Sequence, residues 1–488
     1  MAATRACAGS DVSLTPRVPR ESWLLEKRGD IFFHVNDAIP YHEFLADYMA
    51  QIRGWSGLAN LMRDPAGHFK LISALSFCRC VSAALIGIGI PIFVLTHWTL
   101  DEGSNFYSGL TAAIAAISYV SSTLVFGRAS DKYGRKKTLV VSLIGNIIVT
   151  LIDFSFIFLV NISRTPLLLG FIVVNRGLEG FINGLFWPVL AAGITDVGCF
   201  YCKSDAESMI TTKKGLGWYN VGWNAGLLAG SLMFYVLMTM NDLDLVITLP
   251  VIIQVINLLL MLFYKDLKPL HEPVNSNRSK MDMSPLNVAA QIASLGKKVR
   301  SVIPIIIGYV FVFTYGFALN WIYMTTTNLL DFLGVASILG ILEALRITCQ
   351  GVTSSRSFIG KKRVGGKVLV LYLLMCGLVG LMGLSTTGIG YLNFLVLAPL
   401  IGIVMGFIYF EALNMAVNTS AGKNNEGTVM GLFEGIGSTG SFLGALYAGY
   451  FTQVSTFSQS YFIGIGTFIV LIIACGLLYF ASWKMKTG

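Results

Sequence analysis

The sequence predicts an all-α integral membrane protein of twelve transmembrane helices, arranged as two sets of six. Three observations carry this. The 488-residue chain is 55% hydrophobic and only 12% charged, roughly half the charged fraction of a soluble domain. Its apolar residues gather in runs near the roughly 20 residues that a helix needs to cross the hydrocarbon core. Lys and Arg fall almost entirely in the connections on one side of those runs.

The runs cover 71–95, 105–126, 138–160, 166–192, 215–239, 245–264, 301–325, 332–354, 367–386, 391–417, 427–451 and 459–482. Most are separated by tight turns. Residues 265–300, with Pro269, Pro273, Asn275 and several charges, read instead as a polar linker between spans six and seven. The predicted organisation is therefore a tail (1–66), a six-helix half (67–264), the linker (265–300), a second six-helix half (301–482) and a short tail (483–488). Within the first tail, Tyr41, Phe44, Leu45, Tyr48, Met49, Ile52, Trp55 and Leu58 recur at helical spacing. They predict an amphipathic helix over 40–62 on the inner membrane surface or docked under the bundle.

Charge sets the orientation. Of the 35 Lys and Arg residues, 31 fall on one side, three lie within spans, and Arg164 alone falls on the other side. Basic residues resist translocation, so the crowded side is cytoplasmic and both termini lie there, most simply at a plasma membrane. The first run begins near Leu71, too late for the apolar core of a cleavable signal. Topology also accounts for the net charge of +9, which argues for the lipid bilayer as partner rather than nucleic acid. Asn161-Ile162-Ser163 is a glycosylation sequon on the predicted outer side.

Other chemistries find little support. Cys199 and Cys202 form a close-set loop pair without the further ligands a metal needs. No cofactor is implied, and no G-x-x-x-x-G-K-[ST] occurs for nucleotide binding. The five His residues avoid the span interiors, which argues against an embedded enzyme.

Charges inside the runs each cost at least a few kcal/mol and need a partner or a cavity. They are Arg79 in span one, Asp153 in span three, Arg176 and Glu179 in span four, Glu343 and Arg346 in span eight, Glu411 in span ten and Glu434 in span eleven. The pairs Arg176/Glu179 and Glu343/Arg346 are spaced i, i+3, so each shares a helix face. With Arg79 they form the candidate solute or proton site, although such pairs could also serve only to neutralise each other for insertion. Arg79 is close enough to the inner surface to snorkel. Asp153 suggests a structural bond to a neighbouring helix. Glu411 and Glu434, near inner span ends, are candidate gate partners or members of a proton path.

The loop between spans two and three reads Gly127-Arg-Ala-Ser-Asp131-Lys-Tyr-Gly134-Arg135-Lys136-Lys137. It resembles the signature loop of the major facilitator superfamily, G-x-x-x-D-[RK]-x-G-R-[RK]-[RK], at every defined position. Gly127 lets a neighbouring helix approach, Gly134 permits a tight turn, and Arg135 and Lys136 can pair with Asp131. The loop after span eight keeps a basic cluster, Gly360-Lys-Lys-Arg363, but has Ser357 where the carboxylate would fall. Arg176, Gly180 and Gly184 are similar to the family's span-four pattern. Gly222, Gly226 and Gly230, and again Gly440 and Gly444, form small-residue seams. Leu227 follows Gly226, so the Gly-Pro motif of drug antiporters is absent.

The resemblance implies two pseudo-symmetric halves, a mid-membrane cavity lined by spans one, four, seven and ten, and alternating access. It implies that the signature loop latches the halves together. The implied protein is a monomeric secondary active transporter of a small solute, driven by protons, another coupling ion or the solute's own gradient. Arg side chains facing the cavity suit an anionic or zwitterionic solute. The alternative is a transporter-like receptor or interaction protein that signals through its N-terminal tail.

Overall fold

The computed structural model describes residues 64–126, 130, 133–202, 205–267, 299–359, 367–420 and 426–487. The N-terminal tail with its predicted helix over 40–62, most of the linker, Gly127, Asp131 and Gly360 to Arg363 lie outside the described residues.

Twelve α-helices follow in order. They are α1 (Pro65–His97), α2 (Ser104–Phe126), α3 (Arg135–Ile162), α4 (Pro166–Tyr201), α5 (Asp205–Thr239), α6 (Leu243–Met261), α7 (Val299–Phe332), α8 (Ile338–Ile359), α9 (Lys367–Leu384), α10 (Phe394–Ser420), α11 (Glu426–Val454) and α12 (Phe457–Thr487). They match the twelve predicted spans one for one. Several are longer than the apolar runs. The 33 residues of α1 reach about 50 Å at 1.5 Å per residue, well beyond a hydrocarbon core of about 30 Å. Its start is fixed by the Asp64 side chain, which accepts from the Gly67 N–H at 2.8 Å, with Pro65 at the first helical position. Likewise α4 continues to Tyr201, so Cys199, expected in a loop, is helical. Hydropathy sees the lipid-facing stretch of a helix and is blind to its extension into water.

Among the described residues, eight of the twelve, α1, α3 to α7, α10 and α12, are long and apolar enough to cross a membrane, and α9 carries a shorter apolar stretch, Val370–Leu384. Residues of α2 and α11 such as Ser108, Thr111, Ser122 and Thr452 are buried among neighbouring helices, and α8 carries charged residues inward. The lipid-facing side is apolar and exposed at Val141, Phe158, Leu167, Leu259, Val370 and Val470, as a membrane surface requires.

The halves repeat one packing scheme. Helix α1 packs on α5 and α6, α2 on α4, and α3 on α4 and α6; correspondingly α7 packs on α11 and α12, α8 on α10, and α9 on α10 and α12. Across the halves, α2 packs on α11 and α5 on α8. The small-residue seams explain these pairings. A Cβ added at Gly222, Gly226 or Gly230 would meet the carbonyls of Ser73, Phe77 or Val81 in α1, and one at Gly440 or Gly444 those of Phe313 or Phe317 in α7. Gly444→Ala should therefore overpack the seam, at about 1–3 kcal/mol. Gly466→Ala, where nothing lies within 4 Å, is the matched control, since both gain the same helix propensity. A melt of the purified protein should fall only for Gly444→Ala, and equal melts would remove the seam from the stability argument.

Candidate functional site

Four helices bring the predicted intramembrane charges into two clusters, one in each half. In the first half Arg79 is fully buried and does not snorkel. Its Nε donates to Asn183 Oδ1 at 2.9 Å, its Nη2 also reaches Asn183, and Nη2 meets Glu179 Oε1 at 3.3 Å. The other Glu179 oxygen accepts from Arg176 Nη1. One carboxylate thus serves two guanidinium groups, and the residues read from sequence as an isolated pair and a separate Arg are one network. Asn183 completes it because it stands four residues after Glu179 and seven after Arg176, on the same face of α4.

Asp153 closes the network from behind. Its Oδ1 accepts from Asn175 Nδ2 at 2.8 Å, and that nitrogen also donates to the Val149 carbonyl at 3.0 Å. The expected structural bond from span three is therefore made to α4. Two donors are left over: Arg79 Nη1 and Arg176 Nε are buried without a hydrogen-bond partner. A buried, unsatisfied guanidinium nitrogen is costly unless something arrives to accept from it.

In the second half Arg346 Nε and Nη2 both meet Glu343, at 3.0 and 2.6 Å from Oε2, and Nη1 donates to Gln350 Oε1 at 2.7 Å. Gln350 passes the chain to α7 by donating to Tyr315 Oη at 2.6 Å. Beside this pair lies a cavity of about 20 Å³ bordered by Tyr323, Thr326, Glu343, Arg346 and Met405, room for one or two waters.

Tyr323 stands between the clusters. Its hydroxyl donates to the Gly87 carbonyl of α1 at 3.4 Å, and its side chain interacts electrostatically with Arg176 on one side and with Glu343 and Arg346 on the other. Counted from the predicted outer ends of their helices, Arg176 is ten residues in, Tyr323 nine and Arg346 eight. At 1.5 Å per residue all three lie about 12–15 Å deep, near the midplane of a core about 30 Å thick.

The predicted outer end is closed by a clasp of neutral groups that sequence reading missed. Asn328 of α7 donates to Thr452 Oγ1 at 2.7 Å, and its Oδ1 accepts from Ser108 Oγ at 3.1 Å. Asn105 Nδ2 donates to the Thr452 carbonyl at 2.9 Å, and Gln453 Nε2 to the Leu100 carbonyl at 2.6 Å. Gly109 and Gly449 let α2 and α11 touch backbone to backbone there.

At the opposite end the signature loop is anchored inside the first half. Gly134 has φ +94°, a conformation that favours glycine. The Arg135 Nε meets Asp196 Oδ2 of α4 at 3.0 Å and its Nη1 also contacts Ser130. The Lys136 backbone N–H donates to Asp266 Oδ1 at 2.7 Å, while its Nζ donates to the Leu262 carbonyl at 3.1 Å. Sequence suggested Asp131, which lies outside the described residues, as the partner of these bases; among the described residues Arg135 pairs with Asp196, and Asp266 takes the Lys136 backbone N–H rather than its ammonium. Of the two candidate gate partners, Glu411 is buried. Glu434 is exposed, and its charge acts on the phenols of Tyr119, Tyr219, Tyr315 and Tyr409.

Comparison with known proteins agrees with this architecture. The sequence profile described as Major Facilitator Superfamily matches residues 72–445. An uncharacterized transporter of Buchnera aphidicola subsp. Acyrthosiphon pisum is 36% identical over 85 residues, 16% of this chain and 22% of that protein. The chain thus matches less than a quarter of that relative's length. Among solved structures, a nucleoside transporter NupG variant superposes with TM-score 0.60 at 14% identity, covering 84% of this chain and 99% of its own. A proton-dependent oligopeptide transporter gives 0.57 at 16%, covering 86% and 99%. The human organic anion transporter gives 0.56 at 14%, covering 83% and 98%. At these identities the likeness is one of fold.

Proposed function

The chain belongs to the Major Facilitator Superfamily, and from that premise we propose that it is a secondary transporter which binds one small anionic or zwitterionic solute between its two charged clusters. The observation that carries this reading is the pair of buried, unpartnered donors, Arg79 Nη1 and Arg176 Nε. They sit beside a carboxylate already shared between two Arg residues, so an incoming carboxylate or phosphate would supply the missing acceptors. Bidentate recognition of such groups is what a guanidinium does best. Tyr323 and the Glu343–Arg346 pair supply the opposing wall from the second half. Alternating access would then rock one half against the other around this point.

Coupling to protons or another ion, a monomeric state, a place in the plasma membrane with both termini in the cytoplasm, and a latching role for the loop around Asp131 belong to the same proposal. The structural relatives, whose names include a nucleoside, an oligopeptide and an organic anion transporter, define a first panel. Purified protein in liposomes should exchange at least one labelled carboxylate, amino acid, dipeptide or nucleoside by counterflow. Repeating uptake with and without a pH gradient assigns the coupling. A complete panel without exchange in either condition would sink the transporter reading.

Orientation has its own check. Single cysteines introduced at Ser104, Ser163 and Asn241 should react with an impermeant thiol reagent applied outside intact cells, and ones at Tyr133 and Asn277 should not. The reverse pattern would turn the protein over.

A further inference from the structure

One carboxylate in the bundle has no bond to explain it. Glu434 of α11 makes no hydrogen bond or ion pair among the described residues and is exposed, while its neighbour Phe433 meets the Tyr409 ring at 6.0 Å. Four helices other than its own each bring a phenol toward it: Tyr119 from α2, Tyr219 from α5, Tyr315 from α7 and Tyr409 from α10. The ring is closely built. The Tyr315 and Tyr409 rings meet at 5.2 Å with a 46° tilt, and Trp187 stands edge-on to Tyr219 at 6.2 Å. Gly435 keeps α11 close to α2, where an added Cβ would lie 3.6 Å from Val120. Arg346 is on the far side of Tyr315 and already engaged by Glu343 and Gln350, so it does not neutralise Glu434.

A carboxylate without a described partner, in the company of several tyrosines, is an arrangement that receives an organic cation, by charge and by cation–π attraction together. We propose that Glu434, with Tyr119, Tyr219, Tyr315 and Tyr409, forms a binding site for an organic ammonium group. Its depth relates it to the other site. Glu434 lies twenty residues from the predicted outer end of α11, and Glu179 thirteen from that of α4, so the two differ by about 10 Å along the bundle. Resting on the transporter reading, the inference narrows the solute to one that carries an ammonium group, with the anionic end toward Arg79 and Arg176.

Binding can be tested without flux. Purified full-length protein in detergent would be melted with choline, with n-butylammonium, and with 3,3-dimethylbutan-1-ol, the uncharged isostere of choline. Choline or butylammonium should raise the melting temperature, and the alcohol at equal concentration should not. Glu434→Gln should raise the half-saturating cation concentration at least tenfold, and Tyr119→Leu should raise it severalfold. If Glu434→Gln does not fold, the Tyr119→Leu variant and the cation-versus-alcohol contrast decide alone. No cation-specific shift in the wild type, or an unchanged half-saturation in either variant, overturns the site. Unchanged cation binding in Glu434→Gln with lost gradient-driven uptake would also overturn it, and would give the carboxylate to a proton path. Intact ammonium binding in a protein that moves no solute would instead defeat the transporter reading and leave this site standing.

Discussion

Replacing Glu179 by Leu is expected to cost about 3–5 kcal/mol of stability, because it strands two buried guanidinium groups at once. Arg79 would keep only Asn183, and Arg176 would lose its bonded carboxylate. Arg79→Met should behave differently. It leaves the Arg176–Glu179 pair whole and replaces a buried charge by a side chain that packs, so its stability should stay within about 1 kcal/mol of wild type. Both variants should lose solute exchange, the first through damage to the fold and the second through loss of a donor to the solute. Melting temperature and counterflow measured on the same preparations separate these outcomes. Full exchange in a stable Arg79→Met would take Arg79 out of the solute site. The shared carboxylate also alters what a paired replacement can report. Arg176→Leu with Glu179→Met would strand Arg79, so a loss of activity there would be ambiguous. Arg79→Met with Glu179→Leu leaves Arg176 with the charge of Asp153 and is the cleaner comparison.

Asn328→Ala should open the predicted outer end. The Asn328 side chain bonds Ser108 and Thr452, and through a longer contact the Asn105 carbonyl at 3.5 Å. The bond to Thr452 lies within the second half, so losing the contacts to Ser108 and Asn105, worth about 1 kcal/mol each at most, shifts the equilibrium toward the open form by about 1–2 kcal/mol. That corresponds to roughly fivefold to thirtyfold in population. Gly87 offers a reporter position, since it has open space beside it and lies across from Tyr323. With the native cysteines replaced, Gly87→Cys should react with an impermeant thiol reagent applied from the side of Ser104. Adding Asn328→Ala should raise that rate about fivefold or more. An unchanged rate would mean that the amide clasp does not set the gate.

The helical plan was legible in the sequence because lipid imposes a rule that hydropathy reads directly: twelve apolar runs, twelve helices. The seams at Gly226 and Gly444 were legible for a related reason, as small residues at helical spacing have few uses other than close approach. Helix ends such as that of α4 were not, because nothing in hydropathy marks a helix that continues into water. The site was half visible. Charge inside a span singled out Arg79, Arg176, Glu179, Glu343 and Arg346, but spacing within one helix cannot show that Glu179 bridges to α1. Asn183 could have been found by asking which polar residue shares the face of Arg176 and Glu179. The clasp of Asn105, Ser108, Asn328 and Thr452 carried no charge to flag it, and small polar residues at span ends look like ordinary interfacial ones.

Each ion pair described above is confined to one half: Arg79 and Arg176 with Glu179 and Arg135 with Asp196 in the first, Arg346 with Glu343 in the second. The contacts that join the halves at the clasp and at Tyr323 are uncharged. Pulling apart an ion pair at 4 Å costs about 4 kcal/mol at an effective dielectric of 20, whereas a neutral hydrogen bond costs about 1 kcal/mol. As each 1.4 kcal/mol on a barrier slows a step about tenfold, keeping the charges of the described residues within each half would make the proposed reorientation fast. It would also leave the rate of clasp opening insensitive to ionic strength, because the described clasp separates neutral groups.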